Sequence, residues 1–96
     1  MADYYIYAVH QEDEVIKKVK TCTSYTTSGG PSTESEKTKD TVVSDINSGK
    51  TVFTIYKDVI WKLGELVVIE TIDKIKYIKT KRNGTKKDNL DNIAPY

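Results

Sequence analysis

The chain contains one cysteine and one histidine in 96 residues, too few for most sites built from these side chains. A lone Cys22 excludes an internal disulfide, and a structural zinc site needs several Cys or His ligands. Gly29 and Gly30 are not followed by the Gly-Lys-Ser/Thr of a phosphate-binding loop. We therefore expect a protein with no catalytic residues, no metal and no cofactor.

One catalytic alternative is a nucleophilic pair of Cys22 and His10, which lie on adjacent predicted strands. Such a pair usually requires a third group that orients the imidazole. The flanking sequence KTCTS offers no such group. A half-buried strand cysteine is therefore the favoured interpretation.

Long apolar runs are also missing. The N-terminal stretch MADYYIYAVH has neither the basic region nor the apolar core of a signal peptide. No segment approaches the ~20 apolar residues that cross a bilayer. We expect a cytoplasmic protein without a membrane partner, folded as a single domain over residues 1–96 with one modest core.

Alternating segments rich in Tyr, Ile and Val predict strands, and one segment with helical spacing predicts a helix. The helix is capped by Thr38 or Asp40, has one apolar face formed by Val42, Val43 and Ile46, and ends at Gly49. The expected fold is α+β: a small antiparallel, strongly bent sheet or partial barrel of about five strands with one short helix. The predicted elements are strands 3–10 and 15–23, helix 40–50, and strands 51–57, 65–72 and 75–80, the last two joined by a turn at Asp73 and Lys74.

Three segments fall outside these elements. Residues 24–39 hold Gly-Gly-Pro and few apolar side chains, which predicts a flexible loop. Residues 58–64 fit either an apolar loop or a continued strand. In the tail, 88–96, apolar residues recur every third position at Leu90, Ile93 and Tyr96, which predicts that the tail packs on the sheet.

The charge distribution is strongly asymmetric. Between Lys74 and Lys87 the chain has seven of its 15 basic residues and no acid, so the other 82 residues hold eight basic residues against 14 acids. This pattern predicts either a strip that binds nucleic acid or a phosphorylated ligand, or lysines that protect an edge strand from aggregation. The predicted ligand contacts are Lys76, Tyr77, Lys79, Lys81, Arg82, Lys86 and Lys87.

Two other groups of residues, the Asp and Asn residues of the tail and the tyrosines, suggest other functions. The side chains of Asp88, Asn89, Asp91 and Asn92 are oxygen ligands of the kind calcium prefers, but their spacing is not that of an EF-hand, and turns are the favoured interpretation. The seven tyrosines favour cross-strand pairs with one face on the core, and they also allow a protein-interaction module as the alternative function. Such a module would be a phage- or mobile-element-encoded inhibitor that binds a host protein through the acidic turn 11–14, the tyrosines and the loop 24–39.

The C-terminal part of the sequence resembles the ending of a family of short bacterial proteins, domain-of-unknown-function family 3892. The start YYIYAV with VIKKVKT, and the segment VVSDINSGKTVFT, resemble the family's first hairpin and its helix and next strand. Two departures are Ala94 before Pro95 and a longer segment 24–39. The resemblance implies an architecture and no activity, and its most specific residues are Tyr77, Ile78, Lys79, Thr80, Asn83, Asp88, Asn89, Leu90, Ile93 and Pro95.

Overall fold

The structure, a computed structural model, describes residues 2–12, 15–80 and 93–96. Within these residues the chain forms eight strands and one helix. They follow the order β1 (Tyr4–Glu12), β2 (Val15–Thr26), β3 (Gly30–Thr38), α1 (Lys39–Asn47), β4 (Val52–Asp58), β5 (Ile60–Leu66), β6 (Val68–Ile72), β7 (Ile75–Lys79) and β8 (Ala94–Pro95).

The main sheet is mixed, which corrects the expectation of a purely antiparallel sheet. Its strand order is β3-β2-β1-β4-β5, and the short β8 also pairs with β1. The pairs β1–β2, β2–β3 and β4–β5 are antiparallel, whereas β4 and β8 both run parallel to β1. The parallel β1–β4 pair arises because β2, β3 and α1 together form the crossover that parallel neighbours require.

The sheet is not closed into a barrel. The edge strand β5 approaches the turn between β2 and β3, where the Trp61 amide donates a hydrogen bond to the Thr27 carbonyl at 2.9 Å. Trp61 also lies against Gly30, the first residue of β3, so close that a Cβ at Gly30 would stand 2.5 Å from the indole nitrogen. This close approach of Trp61 therefore requires a residue without a side chain at position 30.

The segment expected to be a loop, residues 24–39, instead contains the end of β2, a turn, the whole of β3 and the first residue of α1. β2 runs to Thr26, and β3 pairs back along it from Gly30 to Thr38. This strand was not predicted because β3 is an exposed edge strand. Such a strand can consist of Ser, Thr and Glu and does not need the alternation of apolar and polar residues that marks a buried strand. Side chains reinforce the pairing, as in the contact of 2.6 Å between the Ser24 and Ser32 hydroxyls. Motion of this hairpin in solution stays a prediction.

The ambiguous segment 58–64 continues the sheet. Val59, with φ 66°, reverses the chain so that β5 pairs antiparallel with β4. An irregularity in this pairing is accommodated at Gly64, where a Cβ would collide with the Thr54 hydroxyl. That hydroxyl accepts a hydrogen bond from the Glu65 amide at 3.0 Å.

The C-terminal hairpin prediction is confirmed. β6 and β7 form a separate two-stranded antiparallel sheet, joined at Asp73 and Lys74. Both turn residues have positive φ, 51° and 68°, as a two-residue hairpin turn of type I′ requires. β6 begins at Val68, later than expected, because Glu65 and Leu66 belong to β5.

The helix is also confirmed. Thr38 caps it, since the Thr38 hydroxyl accepts a hydrogen bond from the Thr41 amide at 3.3 Å. Val42 and Val43 are buried, and Gly49 adopts a φ of 102° just beyond the end of the helix. The helix therefore presents one apolar side to the sheet.

The core lies between one face of the main sheet, the helix and the β6–β7 hairpin. Its members are apolar residues drawn from both sheets and from α1. They are Tyr4, Ile6, Val9, Ile16, Val19, Val42, Val43, Val52, Val67 and Ile78.

The C-terminal residues lie beside β1. Ala94 and Pro95 pair with Ala8 and Val9, and the Tyr96 amide donates to the Val9 carbonyl at 3.0 Å. Burial, together with the hydrogen bond from its hydroxyl to Glu36, raises the pKa of Tyr96 to about 12. Residues 88–92, which include the considered calcium ligands, lie outside the described residues.

A polar anchor joins the helix to the sheet at Asp45. The Tyr4 hydroxyl donates to the Asp45 carboxylate at 2.8 Å, and the ammonium groups of Lys37 and Lys50 lie 3.6 and 3.8 Å from it. Burial on its own raises the pKa of Asp45, but the hydrogen bond from Tyr4 and the two lysines outweigh it. The pKa of Asp45 is therefore held below its ordinary value of 3.8.

We predict that Asp45→Asn lowers the free energy of unfolding at neutral pH by about 1 kcal/mol, or Tm by about 4–8 °C. The pKa of Asp45 is lower in the folded protein than its ordinary value of 3.8 in the unfolded chain. The Asp45 carboxylate therefore stabilises the fold at pH values above 3.8, and this stabilisation is lost as the pH falls through the folded pKa. The difference from wild type should therefore close in acid. Thermal melts across pH measure it, with the surface-paired Asp58→Asn as a near-neutral control. A gap independent of pH would contradict the electrostatic origin.

We also predict that Gly30→Ala destabilises the fold more than Gly49→Ala. Both glycines have positive φ, 79° and 102°, so both substitutions carry backbone strain. Only Gly30 has a neighbour at its missing Cβ, and overpacking there should add roughly 1–3 kcal/mol. Urea unfolding of the two variants measures the difference, and equal losses would show that the Trp61 contact is unimportant.

Candidate functional site

The seven residues predicted to contact an anion are only partly described. Lys76, Tyr77 and Lys79 lie on β7. Lys81, Arg82, Lys86 and Lys87 lie outside the described residues, and their role stays a prediction.

Two of the three described residues are buried. Lys79 is 0% exposed, and its ammonium donates to a Glu70 carboxylate oxygen at 2.6 Å. Tyr77 is buried too, with the ammonium groups of Lys39 and Lys79 lying 5.2 and 5.6 Å from its ring centroid. In this conformation neither side chain is presented to a ligand, and Tyr77 offers no exposed ring on which a base could stack.

Lys76 is exposed and lines an open cleft of about 690 Å³. Three elements build the walls of this cleft: the start of β2, the first turn of α1 and the tip of the β6–β7 hairpin. The lining residues are Val15, Ile16, Lys17, Thr38, Lys39, Asp40, Val43, Lys74, Ile75 and Lys76. We call it the basic cleft.

The basic cleft carries an excess of positive charge. Its lining includes four lysines, Lys17, Lys39, Lys74 and Lys76, and one acid, Asp40. A concave surface lined by one sign of charge concentrates the electrostatic potential within it. The start of α1 adds the partial positive charge of a helix N-terminus. The cleft is therefore suited to an anion.

The fold explains why these four lysines meet. Lys74 occupies the second position of the type I′ turn, and Lys76 follows on β7 opposite Thr71. Lys39 is the first residue of α1, directly after its cap, and Lys17 lies near the start of β2. Because the hairpin docks against α1, its tip is brought to the helix start.

Sequence reasoning missed Lys17 and Lys39 entirely. It included Lys74 in the basic run but not among the ligand contacts. Lys17 and Lys39 lie far from this run in the chain and inside segments of mixed charge. No local sequence signal marks them, because only the docking of the hairpin brings them to Lys74 and Lys76.

A second surface bears on the protein-interaction alternative. On the β4–β5 hairpin, Val59 is 93% exposed and Leu63 is 51% exposed, and Ile60 and Leu66 are exposed as well. On the neighbouring part of the sheet, Tyr7 packs edge-to-face against Trp61, with ring centroids 6.3 Å apart. Exposed apolar groups of this kind are typical of interaction sites.

Cys22 and His10 do not form a pair. Cys22 is buried opposite Tyr5, whereas His10 lies opposite Lys18 and its Nδ1 is 2.8 Å from the Tyr96 carbonyl oxygen. Burial raises the pKa of the Cys22 thiol. A cysteine in this setting has little of the thiolate character that a nucleophile requires.

Comparison with known families identifies one matching family. The profile of the family described as protein of unknown function (DUF3892) matches residues 5–94, nearly the whole chain. The chain belongs to this family. No curated protein and no solved structure matches the DUF3892 chain. The single helix of the described residues is not long and apolar enough to cross a membrane.

The structure assigns different roles to two lysines on one strand. We predict that Lys79→Met destabilises the protein by about 3–5 kcal/mol, because it leaves the Glu70 carboxylate without the ammonium that it contacts. Lys76→Met, at an exposed site, should change stability by less than about 0.5 kcal/mol. Chemical unfolding of both variants measures this, and similar losses would contradict the assignment.

Proposed function

We propose that this DUF3892 protein is a non-catalytic binding module whose ligand is an anion carrying phosphate, held in the basic cleft. The observation that supports this most is the convergence of Lys17, Lys39, Lys74 and Lys76 from three separate elements on one concavity. The proposal keeps the anionic ligand predicted from the charge pattern and moves the principal contacts to these four residues.

The shape of the cleft is consistent with such a ligand. Its volume of about 690 Å³ falls within the roughly 300–1,000 Å³ of sites that hold small molecules. Four like charges around one concavity repel each other, and a bound anion would offset this repulsion. Lysines act as flexible point charges, which favours phosphate groups in more than one orientation.

The basic residues that follow β7 extend the proposal. Lys81, Arg82, Lys86 and Lys87 come shortly after Lys79 in the chain and raise the positive charge of this part of the protein. We propose them as additional contacts for the more highly charged ligands. Their contribution is separable from that of the cleft by substituting the two groups independently.

The second candidate function is a protein-interaction module that uses the β4–β5 hairpin. The exposure of Val59, Ile60, Leu63 and Leu66 favours it. Binding through this surface would be dominated by apolar burial and would change little with salt. Salt dependence therefore separates the two candidates.

We predict that inorganic pyrophosphate binds the protein at low salt and that the affinity falls at physiological ionic strength, because screening weakens exposed charge contacts. Lys17→Ala/Lys76→Ala should reduce the affinity roughly tenfold, at about 0.5–1 kcal/mol for each exposed contact. The matched control is Lys57→Ala/Lys62→Ala, which removes the same charge from the β4–β5 hairpin and should bind like wild type.

Isothermal titration calorimetry measures these affinities. Equal weakening by the two double variants would mean that net charge, and not the cleft, attracts the anion. Absence of binding by wild type at low salt would refute the proposed function and leave the protein-interaction module as the better candidate.

A further inference from the structure

We infer that the ligand of the basic cleft is a small organic phosphate with a short apolar part, neither a bare inorganic anion nor a nucleic acid strand. This inference rests on the proposed function and specifies its ligand class. It follows from the side chains that line the cleft between the lysines.

The lining of the cleft is apolar as well as basic. Val15, Ile16, Val43 and Ile75 contribute aliphatic surface to the same concavity as the lysines. Val43 and Ile16 are buried members of the core, whereas Ile75 is 54% exposed at the hairpin tip between Lys74 and Lys76. A bare anion would use only the lysines and would leave the accessible aliphatic surface of the cleft, that of Ile75 and Val15, in water.

An apolar group attached to the phosphate would cover that surface. Burial of each CH₂ contributes about 0.8 kcal/mol when it is complete, which corresponds to about a fourfold gain in affinity. Because the cleft is open, we assume that each CH₂ is only half buried, which corresponds to about a twofold gain in affinity for each CH₂. A ligand with both parts therefore gains from both kinds of lining.

The same lining argues against a nucleic acid strand. Proteins that bind single strands combine a charged groove with aromatic side chains on which successive bases stack. No aromatic side chain lines the cleft among the described residues, and Tyr77 on β7 is buried. The aliphatic wall and the limited volume fit one small molecule better than a continuous chain of bases.

A homologous series of alkyl phosphates tests the inference, because charge stays constant while apolar length changes. We predict that hexyl phosphate binds about thirtyfold tighter than methyl phosphate, which is the twofold gain repeated for five CH₂ groups. Calorimetry at physiological ionic strength measures the series. A short single-stranded oligonucleotide is titrated alongside and should bind more weakly than hexyl phosphate.

The variant Ile75→Ser identifies the wall that makes the contact. It should lower the affinity for hexyl phosphate by at least threefold and leave the affinity for methyl phosphate unchanged. The matched control is Ile60→Ser, which removes a similarly exposed isoleucine from β5 and should alter neither ligand.

Each remaining outcome overturns the inference in a recognisable way. Equal affinities for methyl and hexyl phosphate would make the cleft a bare anion site, and the proposed function would stand. Tighter binding of the oligonucleotide would assign the site to nucleic acid. Equal weakening of both alkyl phosphates by Ile75→Ser would remove Ile75 as the apolar wall. If no phosphate compound binds when the series is repeated at low salt, the proposed function fails together with the inference.

Discussion

The ion pair between Lys79 on β7 and Glu70 on β6, within one hairpin, is the interaction that allows β7 to be buried in the protein. Consecutive residues of a strand point to opposite faces, and Tyr77, Ile78 and Lys79 are all buried, so the hairpin is covered on both faces. One of these residues carries a charge, and a buried charge is tolerated only with a close partner, here at 2.6 Å. With that partner in place, Ile78 joins the common core and the hairpin is held against it.

The docked hairpin determines the candidate site. Its buried end supplies core residues, and its tip projects Lys74, Ile75 and Lys76 toward the start of α1. Lys39, on α1, lies near both ends of the hairpin. It lines the cleft at the hairpin tip, and its ammonium lies over the ring of Tyr77 further along β7. One hairpin thus serves as a structural element at its open end and as a wall of the basic cleft at its turn. We expect changes at Lys79 to act on the cleft only through the fold.

The elements that sequence predicted well are those with local signals. The type I′ turn at Asp73 and Lys74 separates two apolar runs, and Thr38 caps a segment with helical spacing. β3 was missed because an exposed edge strand carries no apolar alternation. The parallel placement of β4 beside β1 was missed because local pattern does not determine which strands pair. The basic run includes three residues of the β6–β7 hairpin that line or underlie the cleft, Lys74, Lys76 and Lys79, but it could not show that Lys79 is buried or that Lys17 and Lys39 line the same cleft as Lys74 and Lys76.

The proposed anion site lies where α1, β2 and the hairpin tip meet. Its most direct test is an NMR titration of the isotope-labelled protein with pyrophosphate, following backbone amide shifts. Binding in the basic cleft should perturb the amides of residues 16–18, 38–40 and 74–76 and leave those of β5 unchanged. Shifts concentrated on the β4–β5 hairpin, or no shifts at low salt, would contradict it.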